Sequence, residues 1–129
     1  MLPFDGVVDD LVGIFYNKSM KQKRLKLVEL SEHQIQSQIM DYLSWKKIPY
    51  WRANVTRKYN TTFGKKGQGD ISGILIDGSG RRLEIEVKDH RGKLSPEQIE
   101  FGDMIKRNNG VYILARSLDD VIQALDKLS

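Results

Sequence analysis

A strand, a loop and the start of a helix can be recognised in residues 81–98, which read RRLEIEVKDHRGKLSPEQ. Across residues 83–88 apolar and charged side chains alternate. One side of the strand carries Leu83, Ile85 and Val87, and the other side carries Glu84, Glu86 and Lys88. Ser95, Pro96 and Gln98 then form a typical helix N-terminus, with serine as the cap and proline in the first turn. Two interpretations of the charged face are open: a solvated surface with a cross-strand ion pair, or a functional site.

The flanking sequence predicts the remaining elements of an α/β fold. Before the strand come a helix from the capping-box residue Ser31 to about Lys47, a strand Tyr50–Val55, a basic loop 56–69, a strand Asp70–Ile76 and a turn at 77–80. After it, the helix capped by Ser95 runs to Gly110, a buried strand covers Val111–Ala115, and a helix capped by Ser117 extends to Leu128. The strand–helix–strand unit from 81 to 115 predicts a right-handed parallel crossover. The expected architecture is a mixed β-sheet core flanked by helices in the order α-β-β-β-α-β-α, with an extra N-terminal helix at 7–16.

Length and composition indicate one globular domain in a chain of 129 residues. We expect residues 1–29 to form a helical extension with a basic linker, and residues 30–129 to form the domain. The absence of cysteine excludes disulfides, thiolate zinc sites and cysteine nucleophiles. No apolar run approaches the roughly 20 residues of a membrane-spanning helix, and the N-terminus lacks the features of a signal peptide. A cytoplasmic protein without a membrane partner is therefore expected.

The positive charge of the chain is concentrated in one segment. The net charge is +4, but residues 42–69 carry +7 and contain no Asp or Glu, so the remainder carries −3. A basic segment beside a mildly acidic remainder is typical of a polyanion-binding surface with an acidic site next to it. A solvated basic loop is the alternative interpretation.

Two acidic residues and a lysine are expected to meet at the open end of the predicted hairpin. Pairing around the turn at 77–80 puts Asp70 opposite Val87, next to Glu86 and Lys88. Two carboxylates this close repel each other unless a proton or a cation lies between them. Oxygen ligands of this kind suit Mg²⁺ or Mn²⁺, which also bind phosphate oxygens.

One polar residue on each of two helices faces the same region. Glu32 shares the apolar stripe of its helix with Ile35 and Ile39. Burial of an unpaired charge is costly, so an acid on this face is expected to have a charged partner or a functional role. Gln98 lies on the inward stripe of the next helix, three residues before Phe101. Taken singly, Glu32 would complete a helix N-terminus and Gln98 would be a surface residue. Taken with the hairpin acids, both are expected at one site.

These motifs resemble the PD-(D/E)xK nuclease signature. More narrowly they resemble its VRR-NUC branch (virus-type replication-repair nucleases), which includes small stand-alone phage and bacterial members. The resemblance covers about residues 30–125, and Gly69 stands where the signature has a proline that carries no chemistry. It implies a restriction-endonuclease-like fold. The matching segments are Ser31–Gln36, Gly69–Ile71, Ile85–Lys88, Gly92–Gln98 and Gly110–Val111.

The resemblance also implies a role for each residue of the site. A metal ion lowers the pKa of its bound water and neutralises charge that builds on the phosphate, so the roles agree with the chemistry. The implied ligands of Mg²⁺ or Mn²⁺ are Asp70, Glu86 and the Val87 carbonyl, with Glu32 supporting the metal directly or through water. Lys88 would position or help deprotonate the attacking water, or stabilise charge at the phosphate. Gln98 would orient Lys88 or the water.

The sequence therefore favours a metal-dependent DNA endonuclease that hydrolyses phosphodiester bonds. The resemblance implies selectivity for branched DNA, as in a Holliday junction resolvase, and a homodimer, because one chain has one site and cutting two strands needs two. It also implies a bacterial or phage-infected host cell, and no nucleotide cofactor is expected. The alternative is a non-catalytic nucleic-acid-binding module on the same fold. The helix at 7–16 either forms the dimer interface or covers the core.

Several basic side chains are expected to hold the DNA, and binding should weaken steeply with salt. Tyr59 and Phe63 either stack on an unpaired base or pack beneath the loop. The expected phosphate contacts are Arg57, Lys58, Lys65, Lys66, Arg91 and Lys93.

Two charged neighbours of the motif are assigned separately. Glu84 shares a face with Glu86 but lies ~7 Å further along the strand, so only Glu86 has the required offset from Lys88. We expect Glu84 in an outer position or in an ion pair with Arg82. His90 either contacts a phosphate or is solvated.

Overall fold

A computed structural model describes residues 29–52 and 67–129. These residues form three helices and four strands. In chain order the elements are α1 (Glu32–Trp45), β1 (Tyr50–Arg52), β2 (Ile71–Ile74), β3 (Arg82–Val87), α2 (Pro96–Arg107), β4 (Val111–Ala115) and α3 (Leu118–Asp126). The predicted helix at 7–16, most of the basic loop, and the proposed boundary between 1–29 and 30–129 fall wholly or partly outside the described residues. Among the described residues, no helix is long and apolar enough to span a membrane.

The four strands form one mixed sheet in the order β1-β2-β3-β4. β1 and β3 both pair with β2 in antiparallel orientation, whereas β4 lies parallel to β3. The predicted mixed sheet and the parallel strand–helix–strand unit are thus confirmed. β3 is paired on both sides, and its successive side chains point alternately to the two faces of the sheet.

One face of the sheet packs against α1 and α3. Leu83, Ile85 and Val87 of β3 are fully buried there. They share a hydrophobic core with residues of both helices, including Leu43 and Val121. Burial of each such aliphatic side chain contributes about 1.5–3 kcal/mol of transfer free energy. This core fixes β3 and therefore the direction of the charged side chains on its other face.

The opposite face of β3 and β4 is covered by α2. The Phe101 ring meets the Tyr112 ring edge to face, with centroids 6.4 Å apart. A Cβ at Gly102 would lie 2.7 Å from the Tyr112 ring, so glycine allows the helix to approach the sheet closely. The exposed fractions of Glu84 and Glu86 are only 0% and 3%. The interpretation of this face as a solvated surface is therefore wrong for both glutamates.

Both α1 and α2 begin with the same capping box. The hydroxyl of Ser31 accepts from the Gln34 N–H and the Gln34 side chain accepts from the Ser31 N–H. Ser95 and Gln98 make the equivalent pair at α2. These reciprocal bonds satisfy main-chain N–H groups that a helix start leaves without partners.

The ends of α2 and β2 differ from the prediction. The left-handed residue after α2 is Asn109, with φ 68°, rather than Gly110. Gly110 is required for space, since a Cβ there would lie 2.6 Å from Ile105. β2 ends at Ile74, two residues before the predicted Ile76, and Leu75 bonds to the Arg81 carbonyl across a wider turn.

Candidate active site

The hairpin of β2 and β3 brings Asp70 to Glu86. Ile71 pairs with Ile85 and Ser72 with Glu84, one residue out of the predicted register. Asp70 precedes β2, and its N–H donates to the Ile85 carbonyl at 2.9 Å, so the regular pairing begins only at Ile71. The Asp70 carboxylate accepts a hydrogen bond of 2.7 Å from the Val87 N–H, which fixes it at the end of β3.

Glu86 is the buried acid of the site. Its Oε2 accepts from Gln98 Nε2 at 3.0 Å and lies 3.6 Å from Lys88 Nζ. Burial and the neighbouring Asp70 carboxylate raise the pKa of Glu86 to about 8, while the Lys88 ammonium opposes this shift. No donor among the described residues reaches its buried Oε1. The two carboxyl groups therefore leave a position that a shared proton or a cation would satisfy.

Gln98 connects the N-terminus of α2 to this carboxylate. Its Oε1 accepts from the Ser95 N–H at 2.8 Å, so the amide nitrogen must point to Glu86. One side chain thus completes a helix cap and holds the Glu86 carboxylate in one orientation. The structure brings Gln98 to Glu86, in contact with the carboxylate rather than with Lys88.

A tight turn at residues 89–92 packs against the stem of Lys88. Asp89 Oδ1 accepts from the Arg91 and Gly92 N–H groups at 2.9 and 2.8 Å, which lowers the pKa of Asp89. The Asp89 carbonyl accepts from the Arg116 guanidinium at 2.6 Å. A Cβ at Gly92 would lie 3.0 Å from Lys88 Cδ. The turn therefore limits the directions that the lysine side chain can take.

Glu32 reaches the same end of the sheet from the first turn of α1. Its carboxylate accepts a weak hydrogen bond of 3.4 Å from the Asp89 N–H. Within residues 29–52 and 67–129, no group of three or more His, Cys, Asp or Glu residues is arranged to hold a metal ion. Glu32 thus stands beside the turn at 89–92 and does not join Asp70 and Glu86 in such a group.

The sequence did not reveal that Glu84 and the Tyr112 hydroxyl are buried. Glu84 Oε2 accepts from Arg82 Nε at 2.6 Å, the ion pair expected for it, but its buried Oε1 has no donor among the described residues. Tyr112 pairs with Glu84 across the sheet, and burial together with the charges of Glu86, Asp70 and Glu84 raises the pKa of its hydroxyl. The inward stripe of α2, marked by Phe101, was the signal that this face is covered.

The predicted DNA-binding residues are only partly described. Arg91 and Lys93 are exposed on the loop after β3. Arg91 Nε donates to His90 Nε2 at 3.2 Å, and the exposed His90 lies 3.4 Å from Glu29. The remaining members of the predicted set lie outside the described residues: Arg57, Lys58, Lys65 and Lys66, together with the aromatic residues Tyr59 and Phe63.

The fold has a counterpart among solved structures. A chain described as a VRR_NUC domain protein superposes with a TM-score of 0.59 at 21% sequence identity, covering 77% of this chain and 88% of that chain. At this identity the likeness establishes the fold, and the predicted VRR-NUC resemblance is confirmed at that level. Three helices on a four-stranded mixed sheet are consistent with this fold. No protein-family model and no curated protein matches the sequence.

Proposed function

We propose that this chain is a metal-dependent endonuclease that hydrolyses phosphodiester bonds in DNA, with a preference for branched DNA. The VRR_NUC fold supports nuclease chemistry. The observation that carries the proposal is the pairing of Asp70 with the buried Glu86. No donor among the described residues reaches Glu86 Oε1, and Lys88 Nζ lies 3.6 Å from Glu86 Oε2. A module that only binds nucleic acid has no use for paired acids facing a phosphate.

The donor atoms at the end of β3 fit a hard divalent cation. Two carboxylates and a main-chain carbonyl are the oxygen ligands that Mg²⁺ and Mn²⁺ prefer, and the remaining positions suit water and phosphate oxygens. Asp70, Glu86 and the Val87 carbonyl would hold the ion, with Glu32 acting through water. Once bound, the ion would lower the pKa of a coordinated water and neutralise charge on the phosphate.

The other side chains of the site orient these donors and the reacting groups. Gln98 donates to Glu86 Oε2 and so fixes the carboxyl group whose buried Oε1 has no donor among the described residues. Lys88 presents its ammonium N–H groups at the same place, where they hold the attacking water or a phosphate oxygen. The turn at 89–92 limits where that ammonium can go. These contacts preorganise the site before DNA arrives.

DNA binding and dimerisation complete the proposal. The exposed Arg91 and Lys93 would contact phosphates, together with the basic side chains of the loop before β2. One chain supplies one Asp70–Glu86 pair, so a symmetric homodimer would provide the two cuts that a four-way junction requires.

The proposal is tested by cleavage of a labelled four-way junction and of a linear duplex of the same sequence, each with Mg²⁺, Mn²⁺ or EDTA. We expect metal-dependent cutting of the junction, abolished by Asp70→Asn. Salt-sensitive binding of both DNAs without cutting in any metal would overturn the nuclease and support the non-catalytic module. Equal cutting of both DNAs would overturn the branched-DNA preference alone.

A further inference from the structure

A row of side chains crosses the sheet beside the paired acids. Trp51 of β1 pairs with Ser72 of β2, which pairs with Glu84 of β3. Paired residues in a sheet point to the same face, and residues two apart on one strand do as well. Trp51 is therefore on the face that carries Glu86, one row away. This separation is ~7 Å along the strand direction, two residues at about 3.3–3.4 Å each, and about 9–10 Å across the sheet, because β1 lies two strands from β3.

Arg82 is fixed over the Trp51 ring by a buried carboxylate. Its guanidinium carbon lies 5.7 Å from the ring centroid, and its Nε donates to the fully buried Glu84 at 2.6 Å. This hydrogen bond uses Arg82 Nε, and the two terminal nitrogens of the Arg82 guanidinium have no hydrogen-bond partner among the described residues. The Arg82 side chain is still 45% exposed. Guanidinium groups held in this way suit recognition of a phosphate.

Trp51 also keeps an accessible aromatic surface. Its exposed fraction is 43%, and Ile74, which pairs with Arg82, is 39% exposed. Two partly exposed apolar side chains therefore lie on the sheet face beside the Arg82 cation. An aromatic ring beside an arginine is the combination with which proteins bind single-stranded nucleic acid, by stacking on a base and contacting its phosphate.

We propose that Trp51 and Arg82 form a subsite for one unpaired nucleotide on the sheet face that carries the Asp70–Glu86 pair, with the base stacked on Trp51 and its phosphate on Arg82. The inference rests on the proposed function, because it assigns this nucleotide to the DNA strand that is cut. Arg82 lies four residues before Glu86 on β3, ~13 Å along the strand, so the bound nucleotide would lie a short distance along that DNA strand from the scissile phosphate. Only an unpaired or terminal base offers a free face to a protein ring, since bases inside a duplex are stacked on both sides. The subsite therefore selects DNA that is unpaired near the cut, which a uniform duplex is not.

The two tryptophans of the chain allow a direct test. Trp45, at the end of α1, is 75% exposed and also has a cation over its ring, Lys46 Nζ at 5.9 Å. It belongs to the helix that packs on the other face of the sheet, so it is a matched control. The Trp45→Phe protein has Trp51 as its single indole, and the Trp51→Phe protein has only Trp45.

Each full-length protein is titrated in EDTA with short oligothymidylate, and separately with a duplex, while indole fluorescence is recorded. Oligothymidylate should quench Trp51 saturably, the duplex should quench it much less, and neither should quench Trp45. In a parallel polarisation assay, Trp51→Ala should weaken binding of oligothymidylate about 5- to 150-fold, the range found for removal of a stacking aromatic. Trp45→Ala should leave it unchanged.

The outcomes separate this subsite from the nuclease reaction, because the titration needs no metal and no cutting. Quenching of Trp51 in a protein that cuts no DNA would support the subsite and refute the proposed function. Binding of oligothymidylate without quenching of Trp51 would overturn the subsite and leave the nuclease standing. Equal quenching by the duplex, or failure to bind either DNA, would also overturn it.

Discussion

Substitution of Gln98 tests its contact with Glu86, and Gln34, which makes the same capping box at α1, provides the control. Glu at this position of a capping box accepts from the cap N–H as well as Gln does. Among the described residues the Gln34 side chain makes only the capping bond, so Gln34→Glu should change the free energy of unfolding by less than about 0.5 kcal/mol. Gln98→Glu keeps the cap but replaces the N–H donor, 3.0 Å from Glu86 Oε2, by a carboxyl group.

The expected loss of stability comes from the hydrogen bond between Gln98 and Glu86. A hydrogen bond to a charged acceptor contributes about 1.5–3 kcal/mol, and a neutral one about 1 kcal/mol. The pKa of Glu86 is raised to about 8 in the metal-free protein, so Glu86 is mostly protonated at pH 7 and ionised above pH 8. The destabilisation by Gln98→Glu, relative to Gln34→Glu, should therefore grow as the pH rises through this range.

Urea unfolding of both variants and the parent in EDTA, at several pH values from 5 to 9, measures the difference. At pH 5 Glu86 is protonated and can donate to the carboxyl group introduced by Gln98→Glu, so the two variants should converge there. With metal present, loss of a group that orients a ligand should reduce cleavage by Gln98→Glu about 10- to 100-fold, and Gln34→Glu should not reduce it. Equal stability of the two variants at pH 9, together with equal activity, would refute the assigned role of Gln98.

Further predictions concern Glu86 and Gly92. Because the folded pKa of Glu86 lies above its usual 4.5, the metal-free protein holds a proton that the unfolded chain has released, and its stability should fall as the pH rises from about 4.5 to 8. Glu86→Gln should remove this dependence and raise the free energy of unfolding at pH 8, measured in urea, by about 1–3 kcal/mol, while losing cleavage; an unchanged pH dependence would contradict the assignment. Gly92→Ala puts a Cβ 3.0 Å from Lys88 Cδ, so single-turnover cleavage should slow several-fold with little change in thermal stability, and an unaltered rate would show that the turn does not direct the lysine.

Local sequence signals predicted most of the fold. The helix starts at Ser31 and Ser95, the proline in the first turn of α2 and the strand β3 were each predicted from residues within a few positions of one another, and each is found in the structure. The parallel β4 followed from the length of the connection and its apolar run. These features are local, so a single sequence is enough to find them.

Features that depend on distant packing were missed. The pairing of β2 with β3 is shifted by one residue because the turn between them begins after Ile74 and is wider than four residues. The burial of Glu84 depends on residues outside β3: a Cβ at Gly69 would lie 3.1 Å from Glu84 Oε1, and Glu84 pairs with Ser72 and Tyr112 on the neighbouring strands. No property of residues 81–88 alone separates a glutamate that faces water from one that faces a helix.

In the candidate site, too, local strand pairing was predictable and the packing of the helices was not. The sequence predicted that Asp70, Glu86 and Lys88 would lie close together, since a hairpin places them by strand pairing alone, and the structure brings them together. It did not predict that Gln98 would contact Glu86, nor that Glu32 would lie against the main chain of Asp89. Those contacts depend on how two helices sit on the sheet.

The central claim is that Asp70, Glu86 and Lys88 form the catalytic centre of a nuclease, and the most direct measurement is single-turnover cleavage by the Lys88→Ala protein. The parent, Lys88→Ala and the control Lys106→Ala, which changes an exposed lysine in the last turn of α2, are compared on a labelled four-way junction with Mn²⁺. We predict that Lys88→Ala binds the junction but does not cut it, while Lys106→Ala cuts like the parent. Cleavage by Lys88→Ala at the parental rate, or loss of cleavage in both variants alike, would contradict the claim.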